Sequence, residues 1–170
     1  AQENTILTAD TSTIDDNEAV TTGVGSAGGG GGIFNGGTAT IENSTISRNR
    51  ASADSVAGGG IANILGTMTI INSTISGNAA DGTNDSQGGG IFNTNGTVTL
   101  CHGTVAGNSV FGPQSAGAGI ATTNGTTSLI NCVVASNAPG SNFFGPVVDL
   151  GNNLASDSSG GLLASGSLNN

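Results

Sequence analysis

Basic side chains are almost absent from this chain of 170 residues. It contains no Lys, and Arg48 and Arg50 are its only Arg residues, so its formal net charge is −9. Proteins that bind nucleic acid neutralise phosphates with Lys and Arg, and attachment to anionic lipids uses the same side chains. The composition therefore excludes nucleic acid as a partner and gives no electrostatic basis for binding an anionic membrane.

Long apolar runs and large aromatic side chains are also scarce. Trp and Tyr are missing, and only five Phe are present. No run of apolar residues reaches the length of about 18 that a transmembrane helix needs, so we expect no membrane insertion. The chain opens Ala-Gln-Glu directly before a strand-like run, as the mature end of an exported protein does. We therefore expect a secreted protein that lies outside the cell or on the cell surface.

The dominant feature of the sequence is a unit of 28 to 30 residues that recurs four times. It reads Gly-Ile, then Gly-Thr-x-Thr-Ile/Leu-x-Asn, then Ser-Thr-Ile-Ser-x-Asn. Two apolar columns contain Ile33, Ile61, Ile91 and Ile120, and Ile46, Ile75, Val105 and Val134. Two polar columns contain Asn49, Asn78, Asn108 and Asn137, and Asn35, Asn63 and Asn93. A fixed period of this length is typical of a solenoid, in which each repeat forms one coil.

Each repeat contains three short runs rich in β-branched residues, separated by Gly and Asn. Such runs favour strands, and the separating residues favour turns. The sequence therefore predicts an all-β parallel β-solenoid of about five to six coils, with three short strands per coil. It forms a single domain over residues 1–170, and the segments between the repeats are expected to be loops. Within it, 1–32 is an N-terminal coil with a Gly-rich loop, 33–137 holds the regular repeats, and 138–170 is a C-terminal coil and tail.

The Thr-x-Thr motif predicts two columns of hydroxyl groups on the outside of one sheet, because alternate strand residues face opposite sides. These columns contain Thr38, Thr40, Thr67, Thr69, Thr97, Thr99, Thr126 and Ser128. One interpretation is that Thr suits an exposed strand position and recurs because the unit recurs. The other is a surface matched to an ordered lattice such as ice.

Cys101 and Cys132 are 31 residues apart, or about one coil, and both are predicted to face outward near the same corner. The sequence leaves open whether the two residues form a disulfide or remain free thiols. Zinc binding by these two residues and His102 would need a fourth ligand, and none is evident. His102 is instead expected to occupy a position in an Asn column. The sequence predicts no metal and no cofactor.

The densest acidic groups are Asp15, Asp16 and Glu18, followed by Asp81 and Asp85. Neither group recurs on an outward strand face, as a catalytic cleft in a solenoid would require. A single His in an Asn column cannot support a Ser-His-Asp arrangement. We interpret both groups as solvated loops, leave calcium binding open and expect that the protein is not an enzyme.

The run Gly-Gly-Gly-Ile-Phe-Asn, followed by Gly-Thr-x-Thr-Ile/Leu-x-Asn-Ser-Thr-Ile-Ser-x-Asn, resembles the right-handed parallel β-helix repeats of bacterial surface proteins of the polymorphic outer-membrane and adhesin-like type. Residues 143–154 are similar to the Ser-Leu-Gly-x-Asn-Leu segment that closes many such arrays. The resemblance covers nearly the whole chain. It implies a right-handed coil, export and display at a bacterial surface, and it implies no particular chemistry.

The sequence favours a structural or adhesive surface protein that assembles head to tail into an extracellular filament, because no polar cap is evident at either end. The self-assembly candidates are Thr5, Ile6, Leu7, Phe34, Phe92, Leu162, Leu163 and Leu168. The two Phe residues face outward and need a cover, either an inserted loop that carries Phe111 or a neighbouring subunit. The expected partner is another copy of the chain, with a surface glycan or another cell as further partners. Ice binding, and polysaccharide binding or cleavage, are the alternative functions.

Overall fold

The computed structural model describes residues 5–170, and they form a parallel β-solenoid of about four turns. These residues contain no helix, and so none that could cross a membrane. The strands are β1 (Ile6–Asp10), β2 (Thr13–Asp15), β3 (Glu18–Val20), β4 (Ala27–Gly29), β5 (Ile33–Asn35), β6 (Thr38–Glu42), β7 (Thr45–Ser47), β8 (Arg50–Ala57), β9 (Ile61–Ile64), β10 (Thr67–Ile71), β11 (Thr74–Ser76), β12 (Ala79–Gln87), β13 (Ile91–Thr94), β14 (Thr97–Cys101), β15 (Thr104–Ala106), β16 (Ser109–Phe111), β17 (Gln114–Ala116), β18 (Ile120–Thr123), β19 (Thr126–Ile130), β20 (Val133–Ala135), β21 (Phe143–Phe144), β22 (Val148–Asp149), β23 (Leu154–Ala155) and β24 (Leu168–Asn169).

The strands form four sheets that run along the solenoid, and each strand pairs in parallel with its counterpart in the next coil. Sheet A has the order β1-β6-β10-β14-β19-β22, and sheet B has the order β2-β7-β11-β15-β20-β23-β24. Sheet C has the order β16-β12-β8-β3, with β4 paired to β8 and β17 paired to β12. Sheet D has the order β21-β18-β13-β9-β5.

Sheet C lies in segments that the sequence predicted to be loops, so a full coil contributes to four sheets and not to three. Its strands β8 and β12 pair over most of their length, with one irregularity between Gly82 and Asp85. Their inward residues are small and pack in a second core cluster of Ala51, Ala53, Val56, Ala80, Val110 and Ala118. The Ala residues among them have low intrinsic β-propensity, and the neighbouring coils supply the pairing.

The main core is a narrow column of aliphatic side chains that sheets A, B and D surround. Equivalent residues of successive coils pair directly, as Ile46 does with Ile75, and Ile75 with Val105. These three side chains have no exposed surface or almost none. The expected apolar columns are therefore the core of the solenoid.

Two of the Asn columns are buried hydrogen-bond ladders. In the first, Asn49, Asn78, Asn108 and Asn137 each donate their amide to the side-chain oxygen of the next Asn, at 2.9 to 3.0 Å. Each also donates to a backbone carbonyl of the preceding coil, as Asn78 does to Ile46 at 3.0 Å. The second ladder runs from Asn35 through Asn63 to Asn93. Because a buried amide without partners costs free energy, these ladders fix the register between coils.

We expect that Asn78→Ala lowers the free energy of unfolding by about 2–4 kcal/mol. It removes the acceptor of the backbone amide of Asn49, one of the two acceptors of its side-chain amide, and the side-chain donor to the carbonyl of Ile46. Denaturation in urea measures the change. The control is Asn84→Ala, at an exposed position in β12, the strand that begins directly after Asn78. It should change the free energy by less than about 0.5 kcal/mol. Equal effects of the two substitutions would contradict a structural role for the ladder.

Candidate functional site

The Thr-x-Thr residues form two registered columns on the outer face of sheet A. One column contains Thr38, Thr67, Thr97 and Thr126, and the other contains Thr40, Thr69, Thr99 and Ser128. The first column is exposed and the second is half-buried. Neighbouring hydroxyls are spaced by about 4.8 Å along the solenoid axis and by about 7 Å along each strand. The structure thus brings all eight predicted residues onto one surface.

The N-terminal self-assembly candidates lie on or next to β1, which pairs only with β6 among the described residues. Ile6 is 82% exposed. Leu7 is half-buried and packs against the end of the main core, and the carbonyl of Thr5 accepts a hydrogen bond from Thr38. This end of the solenoid therefore combines an apolar surface with the outer edge of a strand.

The C-terminal candidates divide into one buried and two exposed residues. Leu162 is only 3% exposed and belongs to the main core, so it is not available for an intermolecular contact. Leu163 and Leu168 are 91% and 65% exposed. The last strand, β24, pairs with β23 through Leu168 and Leu154, and this pairing extends sheet B to the C-terminal end.

The carboxylate of Asp149 holds the C-terminal segment over the last coil. It accepts hydrogen bonds from the backbone amides of Gly151 at 3.0 Å and Ala164 at 2.7 Å, and from the side chains of Asn153 at 2.7 Å and Ser167 at 2.8 Å. Burial alone would raise the pKa of Asp149, but these donors together lower it to about 2. Stabilisation of the charged form by donated hydrogen bonds has this effect.

Asp157, which follows β23, acts in the same way. It accepts hydrogen bonds from the amides of Asn142 at 2.7 Å and Ser159 at 3.0 Å. Burial opposes the charged form, and the donors outweigh it, so that the pKa of Asp157 is lowered. Two carboxylates therefore organise a polar closure at the C-terminal end, where the sequence predicted none.

The outward column of sheet D alternates between Phe and Ala. It contains Phe34, Ala62, Phe92, Ala121 and Phe144 in register. Both Ala residues have no exposed surface although they face outward, whereas Phe34 and Phe144 are 48% and 44% exposed. The rings on neighbouring coils account for this burial of the Ala side chains. Phe34 and Phe92 thus lie on the side of the solenoid, and Phe144 is a member of the column that the sequence did not predict.

Sheets C and D meet at a concave corner beside these rings. The chain turns there at a glycine in each coil, as at Gly88, where φ is +67° and an added Cβ would lie 2.7 Å from the amide nitrogen of Phe92. Ser55, Asp85 and Gln87 line the corner opposite Phe92. Atom Oδ1 of Asp85 is buried without a hydrogen-bond partner in the described part of the chain. The corner therefore combines an aromatic wall with a polar wall.

The two Arg residues pair with the acidic groups that the sequence singled out. Arg48 contacts Asp15, and Arg50 contacts both Glu18, at 2.9 Å, and Asp81. Among residues 5–170 no three His, Cys, Asp or Glu side chains are grouped so that they could hold a metal ion. Asp16 is exposed and has a positive φ at a corner. These carboxylates lie beside the first coils and do not meet in a cleft.

Cys101 and Cys132 are free thiols in the structure, and only one of them faces outward. Cys101 lies on the outer face of sheet A, and its sulfur is 3.1 Å from Nδ1 of His102. Cys132 is turned into the core, where burial raises the pKa of its thiol. His102 occupies a column with Asn43, Asn72 and Asn131 and lies 3.1 Å from the amide of Asn131.

Comparison of the chain with protein-family models, with curated proteins and with solved structures gives no match. Three surfaces of the described residues are candidates for binding: the Thr columns, the two ends of the solenoid, and the Phe column with the concave corner beside it.

The lowered pKa of Asp149 predicts how stability depends on pH. Its folded pKa of about 2 lies below the value of about 3.9 for an unfolded chain, so the stabilisation is complete above about pH 4 and is lost as the pH falls towards 2. Asp149→Asn should lower stability at neutral pH and reduce the loss between pH 4 and pH 2. Urea unfolding over a pH series measures both effects. The control is Ser158→Ala, at an exposed position in the same closing segment, and it should leave the dependence of stability on pH as in the parent. An unchanged pH dependence in Asp149→Asn would contradict the role of Asp149.

Proposed function

We propose that this chain is a secreted structural and adhesive module of a bacterial surface, and that its copies associate head to tail into an extracellular filament. The observation that carries the proposal is sheet B, which runs from β2 at one end to β24 at the other with every strand parallel. A second copy translated along the axis would continue this sheet with the same strand direction. Such a heterologous contact does not close, so it generates a filament.

The two ends present different apolar residues, as a head-to-tail contact requires. The N-terminal end presents Leu7 and Ile14, both half-buried against the core, and the C-terminal end presents Leu163 and Leu168. Unpaired strand edges with apolar neighbours favour pairing with another chain.

We further propose that the coil is right-handed, as the resemblance to bacterial surface repeats implies. Connections between parallel strands of one sheet are right-handed in nearly all proteins, because a right-twisted strand returns to its sheet in that sense. Counting the short terminal strands, we propose five to six coils, which agrees with six strands in sheet A and seven in sheet B. The module acts by binding and not by catalysis.

The filament proposal predicts that single charges at either end prevent assembly. Ile6→Lys and Leu168→Lys each place a cation in the contact, and we expect at least tenfold fewer filaments in negative-stain electron micrographs at matched concentration. Leu65→Lys is the control, because Leu65 is 73% exposed at a lateral corner. It should leave assembly unchanged. Monodisperse particles of the parent at every concentration would overturn the proposal.

A second candidate function, ice binding, is favoured by the register of the Thr columns. Four coils present equivalent hydroxyls at two regular spacings on sheet A, with no charged residue inside either column from Thr38 to Ser128. A regular array of this kind can match a lattice, whereas scattered hydroxyls cannot.

Ice binding by this face predicts measurable thermal hysteresis and faceted ice crystals in the parent protein. Thr67→Lys and Thr97→Lys place bulky charges in the middle of the array and should abolish both. Thr74→Lys provides the matched control, since Thr74 faces outward in register on sheet B. Hysteresis that survives both sheet A substitutions would exclude this face as the site.

A further inference from the structure

The Phe column and the outer face of sheet C form a shallow groove that runs along the solenoid axis. Phe34 lines one section of it, an open depression of about 380 Å³ that also contacts Ala57 and Ile64. Phe92 lines the adjoining section with Ser55, Asp85 and Gln87. The two sections share Ala57, so they form one continuous surface.

The rings of the Phe column recur at a fixed distance. Phe34, Phe92 and Phe144 occupy every second coil, and two coils span about 10 Å because neighbouring strands are about 4.8 Å apart. This distance matches the length of one disaccharide unit in an extended β-1,4-linked glycan. Each ring offers a flat apolar face of the kind that stacks on the C–H face of a pyranose ring.

The wall opposite Phe92 supplies the polar partners that sugar hydroxyls need. Gln87 can both donate and accept, and Ser55 can do the same. Asp85 lines the same wall, and its carboxylate can accept a hydrogen bond from a sugar hydroxyl.

The charge of the groove selects among glycans. Asp85 contributes a negative charge, neither Arg lines either section of the groove, and the whole chain carries −9. An acidic polysaccharide would meet like charge at every point, and the two Arg side chains are already paired with carboxylates elsewhere. A neutral polymer has no such cost.

We propose that this groove binds a neutral, extended β-1,4-linked glycan that lies parallel to the solenoid axis, with alternate sugars stacked on Phe34 and Phe92. The inference rests on the adhesive part of the proposed function and gives it a class of ligand. It is separate from end-to-end association, which uses Ile6 and Leu168 at the ends.

The inserted loop that carries Phe111 does not cover the rings. Phe111, which the sequence offered as part of an inserted loop over the rings, pairs with Asp81 in sheet C and is itself 47% exposed. Phe34 stays 48% exposed. A second copy of the chain is the rival occupant, and the variants below distinguish it from a glycan.

Isothermal titration calorimetry of the full chain with cellohexaose and with the hexamer of β-1,4-linked N-acetylglucosamine tests the proposal, and it distinguishes the two kinds of neutral sugar. We expect binding of at least one hexamer, and about tenfold weaker binding in Phe92→Ala. Phe111→Ala is the matched control, because it removes an exposed ring outside the column, and it should bind as the parent does. Polygalacturonate, an acidic polymer of similar extended shape, should give no heat.

Gln87→Ala provides a variant that leaves the rings in place, and it should weaken binding severalfold even if Phe92→Ala fails to fold. Absence of binding to both neutral hexamers would overturn the proposal, as would equal binding of polygalacturonate or an equal loss in Phe111→Ala. A dimer that Phe92→Ala dissociates, without glycan binding, would assign the groove to a second copy. Ile6→Lys and Leu168→Lys should bind the hexamer as the parent does, so that failure of assembly and failure of glycan binding are told apart.

Discussion

The register between coils is the constraint on which the rest of this structure depends. Each buried Asn of the main ladder, such as Asn78, donates to the next Asn and to a backbone carbonyl, and accepts from the preceding coil. A slip of one residue would leave all of these groups buried without partners and would turn the apolar columns outward. The ladder therefore fixes which residue of one coil lies above which residue of the next.

Because of this register, equivalent outward residues of successive coils form columns, and the columns differ in what they can bind. On sheet A the repeat preserves Thr, so the surface is uniform from coil to coil. On sheet D, Phe92 lies between Ala62 and Ala121, so the aromatic period is two coils. The period of two coils matters, because neighbouring coils are only about 4.8 Å apart. A Phe ring on every coil would leave too little space for a sugar on each ring. Alternation with Ala spaces the rings widely enough for separate sugar units.

Much of this architecture could be predicted from the sequence, because the Ile and Asn columns follow directly from the repeat. Sheet C could not be predicted, because the Ala-rich sequence of its strands is typical of a loop. These segments form strands only because neighbouring coils pair with them. The inward turn of Cys132 was missed for another reason. Asn131 adopts a left-handed conformation with φ of +54°, which interrupts the alternation on which strand parity rests. Leu162 was missed because Asp149 closes the C-terminal end through contacts that are distant in sequence.

The two proposed activities use the same direction of the molecule, the solenoid axis, and this shared direction makes them cooperate. Association through sheet B would extend the solenoid along its axis, and the groove beside Phe34 and Phe92 runs in that direction. Successive copies would then place their grooves along one line, so that a single long glycan could contact several of them. A shallow groove gives weak binding at each site, but linked sites raise the effective concentration of the next one. The repeat that fixes the register within one chain would thus also set the spacing of a multivalent surface along a filament.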